Sequence, residues 1–295
     1  MASHRQELLE RFERLNVWSR GSERAPHKPL LVLHALARLS HGQESVPFTS
    51  VDEVVGALLR EFGPPRKSYH PEYPFWRLQN DGLWEIPDAA RFARRTGHSD
   101  ARKSELLRHE AVGQFPTDVL VALRSDPSLI HDIAHALLAQ HFPESMHDDI
   151  LSAVGLSIDM PRVTRRRDPE FRGKVITAYE HGCAICGFSV SLGNADLGLE
   201  AAHVKWHQAG GPDTQDNGLA LCVMHHKMLD RGAVTVREDY EVVVSEQVHG
   251  SNGFEEWLLA FHGHPLRRPQ RAEYLPAEKF LKWHWREVFR GPARE

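Results

Sequence analysis

The stretch that decides the fold of the second half of the chain reads CAICG at residues 183–187 and LCVMHH at residues 221–226. These two segments contain all three cysteines, in a C-x-x-C and a C-x-x-H spacing that is typical of tetrahedral zinc sites. The spacing predicts a structural zinc ion with no open coordination position, held by Cys183, Cys186, Cys222 and His225. Two alternatives are that the cysteines are small buried apolar residues, or that the first pair is redox-active.

Polar residues suited to hydrolytic chemistry lie between and after these two segments. Residues 200–204 read EAAHV, which predicts a strand ending near His203, and Asn217 follows a Gly-Gly-Pro turn. His226 and Asp230 are four residues apart, so they share one face of the helix expected after the second segment. Hydrolysis of a phosphodiester needs a base that works near neutral pH and a cation that stabilises charge, and imidazole and carboxylate groups suit these two needs.

This order of segments resembles the HNH endonuclease family with its ββα-metal motif, over about residues 181–233. The resemblance implies that His203 is the general base and that Asn217 fixes its orientation or that of its loop. It also implies that His226 helps to hold a catalytic divalent ion. Asp230, one helical turn later, is a hard oxygen donor suited to Mg²⁺ or Mn²⁺. The catalytic residues implied are therefore His203, Asn217 and His226.

The chain departs from that family's pattern at two positions. The residue before the general base is often a metal ligand and is Ala202 here, so a ligand is missing or comes from elsewhere, with Glu200 as a candidate. The fourth zinc ligand is often cysteine and is His225 here. Because His226 follows directly, the roles of these two histidines could be exchanged.

Composition places the chain among ordinary globular proteins. Of its 295 residues, 41% are hydrophobic and 26% charged, and no apolar run is long enough to span a membrane. Three cysteines are too few for a disulfide framework, and we expect a cytoplasmic protein. The net charge of −4 conceals an asymmetry, because residues 109–160 carry eight acidic residues and one basic residue. The flanking segments are therefore neutral or basic, as a protein that binds nucleic acid requires.

The first half of the chain has the apolar spacing of helices. The pattern predicts helices over residues 5–17 and 29–39, a third capped by Thr49 or Ser50, and further helices opening at Thr117, Pro127 and Pro143. Four prolines predict a loop over residues 63–74. Alternation around Asn80-Asp81-Gly82 predicts a short hairpin over residues 75–86. In the second half, we expect a helix from Pro169 to about Tyr179 and a second hairpin over residues 234–245.

The motifs RAPHKPLL at residues 24–31, EYPFWRL at 72–78 and NDGLWE at 80–85 resemble the sulfur-binding domain of modification-dependent HNH restriction endonucleases. The resemblance spans about residues 5–140. It implies recognition of phosphorothioate DNA, with Tyr73 and Pro74 in the sulfur pocket and with His27 and Lys28 at positions that contact the backbone or bases.

Five further cations are candidate phosphate or base contacts by residue type alone. They are Arg66, Lys67, Arg77, Arg102 and Lys103.

Together these patterns predict an α+β protein of two domains. Residues 1–156 form a mainly helical, sulfur-binding DNA-recognition domain with a small hairpin, residues 157–168 a linker, and residues 169–295 a zinc-stapled ββα-metal (HNH) nuclease domain with a C-terminal extension. The expected function is a restriction endonuclease that cuts phosphorothioate-modified double-stranded DNA, without a membrane partner and with a homodimer left open.

Three alternatives stay open on the sequence alone. The chain could be an HNH endonuclease that reads methylated bases, or a non-cleaving DNA reader with a decayed nuclease site, which Ala202 would suit. A zinc-dependent protein-interaction module is disfavoured, because such a module has no need of His203 and Asn217.

Overall fold

A computed structural model describes residues 2–18, 23–94, 97, 100–157 and 169–295. The chain divides into two compact units, one with most of residues 1–161 and the other with most of residues 162–295. Apart from residue 157, the predicted linker lies outside the described residues, so its bounds stay a prediction. None of the helices in the described ranges is both long and apolar enough to cross a bilayer.

The chain is α+β, and the first unit is mainly helical. Its strands are β1 Ser45–Pro47 and β2 Val112–Gln114. Its helices are α1 Ala2–Glu13, α2 His27–Ser40, α3 Phe48–Ser50, α4 Gly56–Phe62, α5 Glu72–Arg77, α6 Lys103–Arg108, α7 Thr117–Ser125, α8 Ser128–His141 and α9 His147–Val154.

The core of the first unit surrounds helix α2, in which Leu30, Leu31 and Leu33 are fully buried. Helices α1 and α8 pack against each other, and α8 also packs against α2. The segment from Phe48 to Phe62 is helical throughout, because a π-helical turn joins α3 to α4. The predicted cap at Thr49 or Ser50 is wrong, since the helix begins at Phe48, directly after the extended Pro47 and without a side-chain cap.

The hairpin predicted for residues 75–86 is also wrong. Helix α5 begins within the predicted loop and continues as a 3₁₀ turn to Asp81. Phe75 and Leu78 are fully buried and lie three residues apart, which is the spacing of a helical turn. The mixture of apolar and polar residues around them also resembles the alternation of a strand. The sheet that does exist pairs β1 antiparallel with β2, two segments far apart in sequence.

The second unit is built around one pair of antiparallel strands. Its strands are β3 Ser191–Leu192, β4 Ala195–Asp196, β5 Leu199–His203, β6 Gly218–Cys222, β7 Val234–Val236 and β8 Val242–Val244. Its helices are α10 Pro169–Ala178, α11 Val223–Asp230, α12 Phe254–Trp257 and α13 Glu278–Glu287. The register pairs Leu199 with Cys222 and His203 with Gly218, and both α10 and α11 pack on the pair.

Strand, strand and helix therefore follow the predicted ββα order. The second predicted hairpin is confirmed as β7 paired with β8. Gly218 allows helix α10 to approach β6, because a Cβ at this position would lie 2.5 Å from Val175 Cγ2.

Candidate functional site

The four predicted zinc ligands come together in the second unit. Ligand atoms of Cys183, Cys186, Cys222 and His225 all lie within 4.8 Å of one another. His225 Nδ1 lies 3.2 Å from Cys222 Sγ, and its Nε2 donates to the carbonyl of Trp257 at 2.9 Å, so the ring presents Nδ1 to the thiols. Hydrogen bonds from Cys186 and Cys222 lower the pKa of the Cys183 thiol against the opposing effect of burial. Three sulfurs and one nitrogen in a mostly buried cluster fit a structural Zn²⁺.

His203 ends strand β5, and two contacts hold its ring. The ring of Phe171 from helix α10 stacks on it, with centroids 4.2 Å apart and planes at 14°. The Nε2 of His203 lies 2.7 Å from Asp213 Oδ1. Sequence reasoning missed Asp213, because an acidic residue in a Gly-Gly-Pro-Asp turn carries no sign of which side chain it will meet.

Asn217 is fully buried and joins two loop segments. Its side chain accepts from the Lys205 amide at 2.8 Å and donates to the carbonyls of Lys205 and Pro212, both at 3.0 Å. A Cβ at Gly211 would lie 1.8 Å from the Lys205 carbonyl oxygen, so this approach requires glycine. The contacts place Asn217 in the framework of the loop that carries Asp213.

His226 lies between two carboxylates, next in sequence to His225 of the thiol cluster. Its Nδ1 is 2.6 Å from Glu200 Oε2, and its Nε2 is 3.3 Å from Asp230 Oδ2. Burial disfavours the protonated ring, but the charges and hydrogen bonds of Asp230 and Glu200 together outweigh it and raise the pKa of His226 to about 9. The side chain of Glu200 is 43% exposed and that of Asp230 only 3%. Glu200 and Ala202 also share one face of β5, because side chains alternate along a strand.

In the first unit, an aromatic and cationic cluster forms around Tyr73 in α5. The ring of His70 stacks on Tyr73 with centroids 4.8 Å apart, and the Arg77 guanidinium carbon lies 4.7 Å from the centroid of the Tyr73 ring. Both partners are anchored by carboxylates that are themselves buried. Arg77 Nη2 donates to Asp100 at 2.6 Å, and His70 Nδ1 lies 3.0 Å from Glu72.

His27 lies in the same electrostatic environment. Burial is the largest cause that lowers the pKa of His27 to about 4, and the charges of Arg66, His70 and Arg77 add to it. His27 is therefore neutral at pH 7. Four of the predicted DNA-binding residues therefore share one electrostatic environment: His27, Arg66, Tyr73 and Arg77. His70 belongs to it as well, although sequence reasoning did not identify it as a site residue.

The remaining predicted contacts differ in their surroundings. Lys28 is 9% exposed, and its ammonium group binds Asp81 at 2.5 Å and the Asn16 carbonyl at 2.8 Å, so its contact with DNA stays a prediction. Lys103 pairs with Asp52. Arg102 and Lys67 are exposed, whereas Pro74 is buried within α5.

Comparison with known proteins gives two family matches. Residues 5–159 match the model of the ScoMcrA-like DNA sulfur-binding domain, and residues 183–237 match an HNH endonuclease model. No curated protein matches the chain.

Similar solved structures include three with limited likeness. The sulfur-binding domain of ScoMcrA complexed with phosphorothioated DNA is 22% identical with a TM-score of 0.44, over 50% of this chain and 94% of that one. The type IV phosphorothioation-dependent restriction endonuclease ScoMcrA is 22% identical with a TM-score of 0.41, over 52% of this chain and 27% of that one. The modification-dependent TagI restriction endonuclease is 23% identical with a TM-score of 0.30, over 45% and 41%.

The match to the sulfur-binding model covers more than half of the chain, and the HNH match contains the thiol cluster, His203, Asn217 and His226. The chain therefore belongs to the ScoMcrA-like DNA sulfur-binding domain family and joins such a domain to an HNH endonuclease domain.

Proposed function

We propose that this chain is a restriction endonuclease that binds phosphorothioate-modified double-stranded DNA through its first unit and hydrolyses phosphodiester bonds with its second, in the cytoplasm. The observation that carries the proposal is the presence, in one chain of this family, of a cationic cluster around an aromatic ring and a carboxylate–histidine cluster beside a zinc-type site.

The cluster around Tyr73 suits a phosphorothioate. Sulfur is more weakly hydrated than oxygen, so it enters an apolar surface such as the half-exposed Tyr73 ring at a lower desolvation cost. Arg66 and Arg77 suit the negative backbone around it, while exposed Lys67 and Arg102 suit contacts to neighbouring phosphates. Neutral His27 can donate one hydrogen bond and accept another, which suits a base edge or a phosphate oxygen.

His203 and Asn217 of the second unit take part in the hydrolysis. His203 removes a proton from water, the resulting hydroxide attacks phosphorus, and the bond from phosphorus to the leaving oxygen breaks while that oxygen takes a proton from solvent. Asn217 holds the loop around His203 through the Lys205 and Pro212 carbonyls. A divalent ion, Mg²⁺ or Mn²⁺, supplies charge stabilisation at the phosphate when bound.

Glu200 and Nδ1 of His226 would hold that ion, which changes the role expected for Asp230. Nδ1 of His226 faces Glu200, and Nε2 faces Asp230. An ion bound to one of these nitrogens therefore cannot also bind both carboxylates. Only the Glu200 side is open to DNA, because Asp230 is almost completely buried. Asp230 then orients His226 through Nε2, as carboxylates commonly do for metal-binding imidazoles. Glu200 replaces the ligand that is absent at Ala202, on the same face of β5.

The test is a cleavage assay on duplexes that are identical except for one phosphorothioate, with Mg²⁺ or Mn²⁺, beside a third duplex carrying a methylated base. We expect cutting of the phosphorothioate duplex alone. Binding of that duplex without cutting under either ion would identify a non-cleaving reader. Cutting of the methylated duplex alone would replace sulfur by a methyl base as the recognised mark.

A further inference from the structure

We propose that Asp213 is the positioning residue for the general base, fixing the tautomer of His203 through its hydrogen bond to Nε2. This inference rests on the proposed nuclease reaction and adds a residue to it.

Two contacts from different elements fix the plane and the rotation of the His203 ring. Phe171 of helix α10 stacks on its face at 4.2 Å, which sets the plane of the ring. Asp213 Oδ1 then meets Nε2 at 2.7 Å, which sets the rotation within that plane. The side chain of His203 is 15% exposed and that of Asp213 is 33% exposed. This pair is therefore shielded more than a surface ion pair, and it is open enough to meet a substrate.

The chemistry follows from the donor and acceptor capacities of the two groups. An ionised carboxylate can only accept, so Asp213 requires the proton of a neutral His203 to sit on Nε2. Nδ1 is then the basic nitrogen that takes the proton from water. As that proton arrives, the ring becomes positive, and the charge of Asp213 stabilises it.

The loop around Asp213 is arranged independently of this contact. Asn217 donates to the carbonyl of Pro212, the residue immediately before Asp213, and Gly211 provides the close approach to Lys205. Asn217 therefore holds the backbone, whereas Asp213 holds the imidazole. Among the described residues, the titratable ring of His207 also faces His203, with centroids 6.0 Å apart.

The experiment compares the full-length, zinc-loaded wild type with Asp213→Asn, Asp213→Ala and the control Asp216→Asn, which removes the same charge from the same loop. For each protein, kcat and KM are measured on the phosphorothioate duplex, and ¹⁵N NMR identifies the tautomer of His203, whose signals are assigned by their loss in His203→Ala. An asparagine amide can donate to Nε2 and so favour the opposite tautomer. We therefore expect kcat of Asp213→Asn to fall by roughly 10² to 10⁴-fold, the range of general-base catalysis. KM and the melting temperature should stay near wild type, and the Nε2–H tautomer should be lost.

Wild-type kcat in both Asp213 variants, or an unchanged tautomer in both, would overturn the inference. An equal loss of kcat in Asp216→Asn would also overturn the inference. The effect would then come from the charge of the loop rather than from the contact between Asp213 and His203. If the wild type itself does not cut DNA, the proposed function fails, and the NMR comparison still tests the contact between Asp213 and His203.

Discussion

His27 in the first unit and His226 in the second unit show how the same side chain is prepared for opposite partners. Burial is the largest cause that lowers the pKa of His27 to about 4, and the positive charges of Arg66 and Arg77 lower it further. The neighbours of His226 are carboxylates, and against burial they raise its pKa to about 9. A site lined by cations suits an anion, and a site lined by carboxylates suits a cation. The neighbours therefore set the electrostatic sign of each proposed site: positive around His27, where we propose that DNA binds, and negative around His226, where we propose that a metal ion binds.

The two units also differ in what holds them together. The first is built on the fully buried leucines of α2, whereas the second places Cys183 and Cys222 inside its core cluster. The largest expected effect follows from this contrast. Removal of zinc by a chelator, or Cys183→Ser, should unfold the second unit, because a structural zinc site contributes roughly 10 kcal/mol and a whole domain has only about 5 to 15 kcal/mol of stability.

Circular dichroism should then show the helices of the first unit retained, and added Zn²⁺ should restore the chelated protein but not Cys183→Ser. Elemental analysis that finds no zinc in the purified protein would refute the contrast.

The next effect separates recognition from catalysis. His203→Ala should lower cleavage by about 10² to 10⁴-fold, because it removes the general base. Binding of the phosphorothioate duplex should stay intact, since the cluster around Tyr73 belongs to the other unit. His207→Ala is the matched control, because His207 is a histidine in the loop that follows β5 and has no assigned role. If His203→Ala lost binding and cleavage together, the assignment of binding to the first unit and of cleavage to the second would be contradicted.

A smaller effect sharpens the distinction between pocket and cation within the first site. Tyr73→Ala should reduce the preference for the phosphorothioate duplex over the plain one by about 2 kcal/mol, roughly thirtyfold, because an apolar surface for sulfur is lost. Lys67→Ala should instead weaken binding to both duplexes alike and lower the salt dependence by about one ion. Titrations at several fixed salt concentrations measure both quantities, and an unchanged preference in Tyr73→Ala would remove the sulfur pocket.

The smallest effect tests the lowered pKa of a buried histidine in the first unit. Burial is the larger cause that lowers the pKa of His34 to about 4, and the charge of Arg38 adds to it. The ring of His34 takes up a proton near pH 6.5 in the unfolded chain but only near pH 4 in the folded chain. The free energy of unfolding is therefore greatest above pH 6.5 and falls as the pH approaches 4. Between pH 6.5 and 5.5 the loss should be about 1 kcal/mol per such histidine.

His34→Gln should have a shallower pH dependence by that amount in urea denaturation of the full chain. Identical pH dependence in the two proteins would show that His34 titrates normally.

The cluster of three cysteines and one histidine was predictable because metal geometry imposes a short, local spacing on Cys183 and Cys186 and on Cys222 and His225. Some side-chain contacts were not predictable because they join segments that are distant in sequence. Lys28 reads as a surface cation until Asp81 is placed beside it.

The contact between Asp213 and His203 has no local pattern, because it depends on how the loop that carries Asp213 meets β5. The absent hairpin has a different cause, since apolar residues in a short helix and a 3₁₀ turn imitate alternation.

The pairing of β1 with β2 also constrains how the first unit can form. Val46 meets Gly113 only when the intervening chain has closed into a long loop, and the cationic residues Arg66, Arg77 and Arg102 all lie inside that loop. Closing such a loop costs conformational entropy before any contact compensates it, so this pairing raises the contact order and slows folding. A short peptide around Tyr73 would lack both strands and therefore this closure. During translation the strand pair can form only after residue 114 has left the ribosome.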